Sequence, residues 1–102
     1  MVSVEVRDVP GRSRYEARID CEVVGFAEYE RSGELVVFTH TEVEPHVGGK
    51  GVGSALVRGA LDDVRAGGAH RVVPLCPFVR GWIAAHDEYG DLVAAASGAA
   101  TD

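Results

Sequence analysis

The chain has 102 residues, of which 46% are hydrophobic, and 10 basic residues against 16 acidic ones give a formal net charge of −6. This length fits one domain with a single core, and the acidic balance disfavours a broad surface for nucleic acid or an anionic membrane. No stretch approaches the roughly 18 to 20 apolar residues of a membrane span, and charges near the N-terminus are unlike a secretory signal, so we expect a cytoplasmic protein.

The first half of the chain predicts an antiparallel meander of four strands. Apolar residues alternate with polar ones, and the alternation is broken at Pro10-Gly11, Asp20-Cys21-Glu22 and Ser32-Gly33, which predict turns. The four predicted strands cover Val2–Val6, Tyr15–Ile19, Val23–Glu30 and Leu35–Val43.

The second half predicts a helix, a strand and a second helix. Apolar residues recur at helical spacing from Val52 to Val64, and Gly67-Gly68 marks the helix end. A strand over Arg71–Leu75 follows this crossover helix, so it should lie parallel to Leu35–Val43. Pro77 then suits the first turn of a second helix. The predicted apolar stripe of that helix consists of Phe78, Val79, Trp82 and Ile83.

These elements predict an α/β domain with a mixed sheet, formed by residues 1–93. Residues 94–102 are small and offer no large apolar anchor, which predicts a flexible tail. The two cysteines, Cys21 and Cys76, have no metal-ligand spacing, so we expect free thiols and no metal site.

A run of glycines between Val43 and the first helix is the strongest candidate for a binding site. Its sequence over residues 48–53 is Gly-Gly-Lys-Gly-Val-Gly. Nearly bare backbone can approach a ligand closely, and the free N–H groups and dipole of a helix start suit a phosphate. The alternative is that the glycines only form a loop, with Gly53 allowing the helix to pack closely on the sheet. Neither a P-loop nor a dinucleotide fingerprint fits, because Lys50 is followed by Gly51 and the latter motif meets Ser54.

The glycine run and its surroundings resemble the GNAT superfamily of N-acetyltransferases, in particular its very short single-domain members. Gly51 and Gly53 match the two small positions of the acetyl-coenzyme A loop Gln/Arg-x-x-Gly-x-Gly/Ala, whose first position is Gly48 here. The resemblance covers roughly residues 15–93. Its other blocks are Phe-Thr-His-Thr-Glu-Val at 38–43, Leu-Val at 56–57, Ala-Leu at 60–61, Val-Pro-Leu-Cys-Pro-Phe-Val at 73–79 and His-Asp-Glu-Tyr at 86–89.

The resemblance implies a GNAT-like fold and an acetyl-CoA-dependent transfer of acetyl to an amine, on a protein or a small molecule. The diphosphate of acetyl-CoA would lie on the backbone of the glycine run, and Lys50 and Arg80 could meet its phosphates. Pro74 cannot donate to a ladder, which suggests that strand pairing stops there and leaves the gap through which the family admits the pantetheine arm; an edge position without a gap is the alternative. The predicted cofactor-binding residues are Val43, Gly48, Gly49, Lys50, Gly51, Val52, Gly53, Ser54, Cys76 and Arg80.

Three residues are candidates for catalysis. His40 lies late in the strand before the glycine run and could accept the amine's proton, whereas a structural or surface role is the alternative. A thiol at a helix start is driven toward thiolate, so Cys76 could carry the acetyl group or line the pocket; otherwise it is an inert buried residue. The resemblance pairs a histidine and a cysteine at these two places. Tyr89 could protonate the departing thiolate, or its ring could close the core.

Other readings stay open at this stage. Glu42 and Glu44 could orient His40 or attract a cationic amine. The shortness of the chain also allows a non-catalytic module that binds acyl-CoA, or a structural subunit whose open face docks a partner. We expect a monomer or a weak homodimer, since a small domain with an exposed strand edge can pair with a copy of itself.

Overall fold

The structure is a computed structural model that describes residues 3–48, 51–68 and 70–94. One sheet holds five strands in the order β1-β2-β3-β4-β5. The first four form the predicted antiparallel meander, and β5 pairs in parallel with β4. The predicted fold class is therefore confirmed. The strands are β1 Glu5–Val9, β2 Arg14–Ile19, β3 Glu22–Ser32, β4 Leu35–Val43 and β5 Arg71–Pro74.

Two helices pack on one face of this sheet. Helix α1, Val52–Gly67, contacts the first four strands, and α2, Pro77–Ala85, contacts α1, β4 and β5. Short 3-10 turns span Pro10–Arg12, Pro45–Val47 and Asp87–Leu92. In the part of the chain that the structure describes, the other face of the sheet carries no helix, so we refer to it as the open face.

The hairpin between β2 and β3 turns through two residues with left-handed backbone. Asp20 has φ 52° and Cys21 has φ 68°. Two positive φ values in a two-residue loop match the twist of the flanking strands. Cys21 thus stands where glycine is the easier residue, and the predicted hairpin is confirmed.

The core lies between α1 and the sheet, where Tyr15, Phe38, Leu56 and Leu61 are fully buried. The close approach of α1 to the sheet is at Gly59, since a β carbon there would lie 2.7 Å from Cβ of Val6.

Gly53 was expected, as an alternative to ligand binding, to let the helix pack closely on the sheet, but the structure shows a different contact. A β carbon at Gly53 would lie 2.9 Å from the ring of Phe78, which belongs to α2 and not to the sheet. Gly53 therefore lets the start of α1 approach α2.

Two expectations for the region around α2 are corrected. Strand β5 ends at Pro74, and Leu75 is 57% exposed. Phe78 is 47% exposed and does not belong to the buried stripe of α2, which consists of Val79, Trp82 and Ile83. Successive helical residues point about 100° apart, so packing Val79 inward turns Phe78 away from the core and over the start of α1.

The chain after α2 returns to the edge of β5. Val93 forms a parallel bridge with Val72, and the N–H of Ala94 donates to the Val72 carbonyl at 2.9 Å. Ala94 is buried, so it belongs to the domain and not to the predicted tail. The rest of that predicted tail, 95–102, lies outside the described residues.

Candidate active site

A β-bulge interrupts β4 in the middle of the candidate site. Tyr29 of β3 is opposite Phe38, but the preceding residue of β3, Glu28, is opposite His40 and not Thr39. Thr39 is therefore the extra residue on β4. A bulge of this kind kinks the strand and changes which residues face which side of the sheet.

The side chains of β4 exchange faces at the bulge. Phe38, before it, is fully buried under the helices. After it, Thr41 and Val43 are partly buried, whereas His40 and Glu42 are exposed. Without the extra residue, His40 would continue the inward row of Phe38.

The pairing of β4 with β5 stops at the bulge. The last paired residues are Phe38 and Pro74. The carbonyl of Phe38 then accepts from the N–H groups of both Leu75 and Cys76, at 3.0 and 2.9 Å, so the chain leaves the strand direction. Among the described residues, no strand pairs with 39–43 on this side. The predicted end of pairing at Pro74 is confirmed, and we refer to the unpaired stretch as the β4 gap.

Cys76 lies at this gap on the helix side of the sheet. It is the N-cap residue of α2, is 4% exposed, and its Sγ lies 3.4 Å from Oγ1 of Thr41. Burial opposes ionisation, but hydrogen bonding from Thr41 and from the backbone of Val79 and Phe78 outweighs it and lowers the pKa of the thiol. The surroundings therefore favour the thiolate form.

His40 lies on the open face. Its side chain is 52% exposed, and Nε2 is 2.7 Å from Oε2 of Glu42. The ring of Phe26 lies 6.2 Å away, and the guanidinium of Arg14 covers that ring at 4.5 Å. His40 and Cys76 are thus on opposite faces of β4, and both border the β4 gap. The contact with Glu42 agrees with the reading in which this carboxylate orients His40.

The start of α1 has no side-chain cap. Gly51, its N-cap residue, has φ 76°, which favours glycine. The first hydrogen bond of the helix runs from the N–H of Ala55 to the carbonyl of Gly51, at 3.0 Å. The N–H groups of the preceding turn, at residues 52–54, come before this bond and are the orphan donors of a helix start.

The rest of the glycine run divides into two parts. The N–H of Gly48 donates to the carbonyl of Pro45 at 3.0 Å, so its hydrogen is already used within the chain. Gly49 and Lys50 lie outside the described residues. The part of the predicted cradle that the structure describes is therefore 51–53.

The remaining residues predicted to bind the cofactor surround this helix start. The hydroxyl of Ser54 accepts from Nε1 of Trp82 at 2.8 Å, which ties α1 to α2. Arg80 is exposed on α2, one turn after Cys76, and Val43 is partly buried at the end of β4. The Ser54 hydroxyl is therefore engaged by a neighbour, whereas the side chain of Arg80 faces solvent.

Tyr89 contacts the middle of α1. It is 6% exposed, its hydroxyl donates to Oδ1 of Asp62 at 2.7 Å, and Nη1 of Arg58 donates to it at 3.3 Å. The hydrogen bond to Asp62, together with burial, raises the pKa of the phenol. Asp62 comes ten residues after Val52, a distance of about 15 Å along a helix. The contacts of Tyr89 suit a ring that closes the core, and its catalytic role stays a prediction.

Two site features were missed by the sequence analysis. Thr41, the neighbour of the Cys76 thiol, was read only as part of a matching block. The bulge also left a signal, because the alternation that places Val36 and Phe38 inward is broken by the consecutive polar residues 39–42. A break of phase inside a long strand is typical of a bulge.

Two further facts concern the described residues as a whole. No helix there is long and apolar enough to cross a bilayer. No group of three or more potential ligands among the described residues could hold a metal ion.

The fold is an α/β domain in which a glycine turn and a helix connect the two strands of an interrupted parallel pair. The sequence profile of the GCN5-related N-acetyltransferases matches residues 14–92. The chain therefore belongs to the GCN5-related N-acetyltransferase family. This confirms the predicted GNAT resemblance and identifies the protein as an acetyltransferase, in a family that generally uses acetyl-CoA.

The fold is shared with a solved structure. The NMR solution structure of a candidate GCN5-like N-acetyltransferase from Staphylococcus aureus superposes with a TM-score of 0.68. The two sequences are 19% identical, and the match covers 92% of this chain and 91% of that one. At this identity the likeness shows the fold alone. A search of curated protein sequences gave no match.

Proposed function

We propose that the protein transfers the acetyl group of acetyl-CoA to an amine, with the cofactor diphosphate bound at the start of α1. The observation that carries this proposal is the uncapped first turn of α1 beside the β4 gap. Gly53 of that turn lies under the ring of Phe78, two residues after Cys76. A helix start that could hold an anion is thus near a thiol at an open strand edge, which supports the proposal.

The residues at the helix start fit a diphosphate. Orphan N–H groups and the positive end of the helix dipole favour an anion at this place, and the positive φ of Gly51 provides the turn that leads into it. Gly49 and Lys50 would continue the cradle, whereas the N–H of Gly48 is already bonded to Pro45, and Arg80 could add a charge from α2. Val43, Ser54 and Cys76 would line the path of the pantetheine arm along the β4 gap. Bound acetyl-CoA would supply a thioester whose acyl carbon accepts a nucleophile.

His40 would act as the base for the acceptor. An amine must be neutral to attack, and the imidazole can take its proton directly or through water. Glu42, 2.7 Å from Nε2, would stabilise the imidazolium formed. In the transfer a C–N bond forms and the C–S bond breaks. The amine gives up its proton to His40 or to solvent, and the departing thiolate takes one, with Tyr89 as its predicted donor.

Cys76 has two possible parts in this reaction. Its lowered pKa favours the thiolate, which could attack the thioester and carry the acetyl group before the amine receives it. In direct transfer, the thiol and Thr41 would instead shape the wall of the β4 gap. Intact-mass measurement after incubation with acetyl-CoA separates the two, since only the first leaves an acetyl adduct that Cys76→Ser removes.

The open face of the sheet supports a second candidate, a module that binds acyl-CoA without turnover. No second layer encloses an acceptor on that face within the described residues, whereas the proposed cofactor site requires only the helix side of the sheet. Incubation with acetyl-CoA and a panel of amines, with measurement of the free thiol released, distinguishes the enzyme from the binding module. Thiol release that depends on the amine supports the enzyme, and saturable binding without release supports the module.

The setting of the reaction is also part of the proposal. The acceptor is an amine of a protein or of a small molecule, and the enzyme works in the cytoplasm as a monomer or a weak homodimer. The free edge of β1, which pairs with β2 alone among the described strands, is the surface through which two copies could associate. Light scattering at several protein concentrations measures this association.

A further inference from the structure

A small cavity lies at the end of β4, next to the His40–Glu42 pair. Its volume is about 80 Å³, and its walls include Phe26, Glu42, Glu44 and Pro45. Gly25 forms another part of the wall, and a β carbon there would lie 3.0 Å from the carbonyl oxygen of Glu42. The absence of a side chain at Gly25 thus keeps this space open. The volume suits a group of a few heavy atoms.

The chemistry of the walls favours a cation. Glu42 uses Oε2 for the contact with His40, and Glu44 forms no ion pair with another described residue. The phenyl ring of Phe26 already holds the guanidinium of Arg14 at 4.5 Å, which shows that its surroundings accept a positive charge. Arg14 is paired with Glu16 at 2.9 Å, and Glu16 is also paired with Arg18 at 3.1 Å. Since Arg14 already covers the ring of Phe26, an ammonium group in the cavity would meet chiefly the carboxylates of Glu42 and Glu44.

One residue, Glu42, connects the cavity to the proposed base His40. Glu42 contacts His40 and also lines the cavity, so a molecule at His40 can reach the cavity directly. The backbones of His40 and Glu42 are about 6 to 7 Å apart along the strand, and their side chains meet at 2.7 Å, so an aliphatic chain of four or five carbons is long enough to join a nitrogen at His40 to a nitrogen in the cavity.

We propose that the cavity binds a second ammonium group of the acceptor, so that the preferred acceptor class is a short aliphatic diamine or polyamine. This inference rests on the proposed function. One nitrogen is neutral at His40 and attacks the thioester, and the other stays protonated between Glu42 and Glu44. A monoamine of the same length lacks this contact, and an amine with a distal carboxylate is repelled.

The test measures free thiol at saturating acetyl-CoA with three acceptors of matched length. These are 1,4-diaminobutane, butylamine and 4-aminobutyrate. We expect the lowest KM for the diamine and the highest for 4-aminobutyrate. Glu44→Gln should raise the KM for the diamine relative to that for butylamine by about threefold to fivefold, the size expected for an exposed ion pair. Glu34→Gln, an exposed glutamate in the turn between β3 and β4, is the matched control and should leave this ratio unchanged.

Failure of this inference and failure of the proposed function give different results. Thiol release with all three acceptors at similar KM, or an equal effect of Glu44→Gln on the diamine and on butylamine, overturns the ammonium site and leaves the transferase intact. Binding of acetyl-CoA without thiol release for any of the three amines contradicts the proposed function and this inference together.

Discussion

On the helix side of β4, Cys76 is 4% exposed and its ionisation depends on hydrogen bonds from Thr41 and the start of α2. On the open side, the His40 side chain is 52% exposed and paired with an equally accessible carboxylate. The bulge at Thr39 creates this division by exchanging the faces of β4. A buried ionisable group takes its state from fixed neighbours, whereas an exposed group exchanges its partner readily with water. Variants on the helix side should therefore change binding and stability, and variants on the open side should change kinetics alone.

The largest effect is expected at the start of α1, from Gly51→Asp. The introduced carboxylate repels a diphosphate and competes for the same first-turn N–H groups. We expect the Kd for CoA, measured by isothermal titration, to rise at least about 100-fold, or roughly 2.7 kcal/mol. Gly68→Asp is the matched control, because Gly68 also has positive φ, 85°, but lies at the other end of α1. An equal loss of affinity in both variants would show that the effect comes from unfolding.

The next effect is expected on the open side, from His40→Gln. Removing a base lowers the rate by about 100-fold or more, and the exposed position should leave the melting temperature unchanged. We expect kcat for the amine to fall while the Kd for CoA stays constant. His70→Gln, at a distant histidine of the described chain, provides the control. If kcat of His40→Gln equals that of the wild type, His40 on the open face is not the base.

A smaller effect is expected for the thiol on the helix side. Because the folded pKa of Cys76 is lowered, its thiolate should predominate at a lower pH than in the unfolded chain. Its stabilising contribution is present above the ordinary thiol pKa and is lost as the pH falls through the folded value. In a Cys21→Ser background, alkylation of Cys76 in the denatured protein should have its pH midpoint at about 8.5, the value of a free cysteine. In the folded protein the midpoint should be lower. Equal midpoints would contradict the role given to Thr41 and α2.

The smallest effect is expected at Tyr89, a buried residue whose hydroxyl is bonded to residues in the middle of α1. Tyr89→Phe removes the hydrogen bonds to Asp62 and Arg58. We expect the free energy of unfolding to fall by about 1 kcal/mol, measured by urea denaturation, with kcat within twofold of the wild type. A drop in kcat beyond about tenfold at unchanged stability would support the predicted role as the acid for the leaving thiolate.

Periodicity and turn residues predicted the order of the elements, but the first strand was placed too early, since β1 spans Glu5–Val9 and not Val2–Val6. The alternation in β4 and the glycine stop of α1 gave bounds that agree with the structure, because both depend on local sequence alone. The position of Cys76 at a helix start also followed from Pro77. Phe78 was misplaced because an apolar residue near a helix start was assigned to the core, whereas its neighbour Val79 occupies the inward position.

The geometry of the site could not be predicted in the same way. The contact between Cys76 and Thr41 joins residues 35 positions apart, and it depends on the extra residue in β4, which changes the facing of every side chain after it. The placement of His40 on the opposite face from Cys76 follows from the same bulge. Pairing registers of this kind are set by tertiary packing, and single residue types carry little information about them.

The central claim is that the first-turn amides of α1 bind the cofactor diphosphate. The most direct measurement is a titration of ¹⁵N-labelled protein with CoA in which the amide chemical shifts are recorded at each step. The account predicts saturable shifts that are largest for Val52, Gly53 and Ser54, with a separate response at Cys76 and Thr41 along the β4 gap. Saturable binding that leaves the amides of this turn unshifted, or no shift at millimolar CoA, would contradict it.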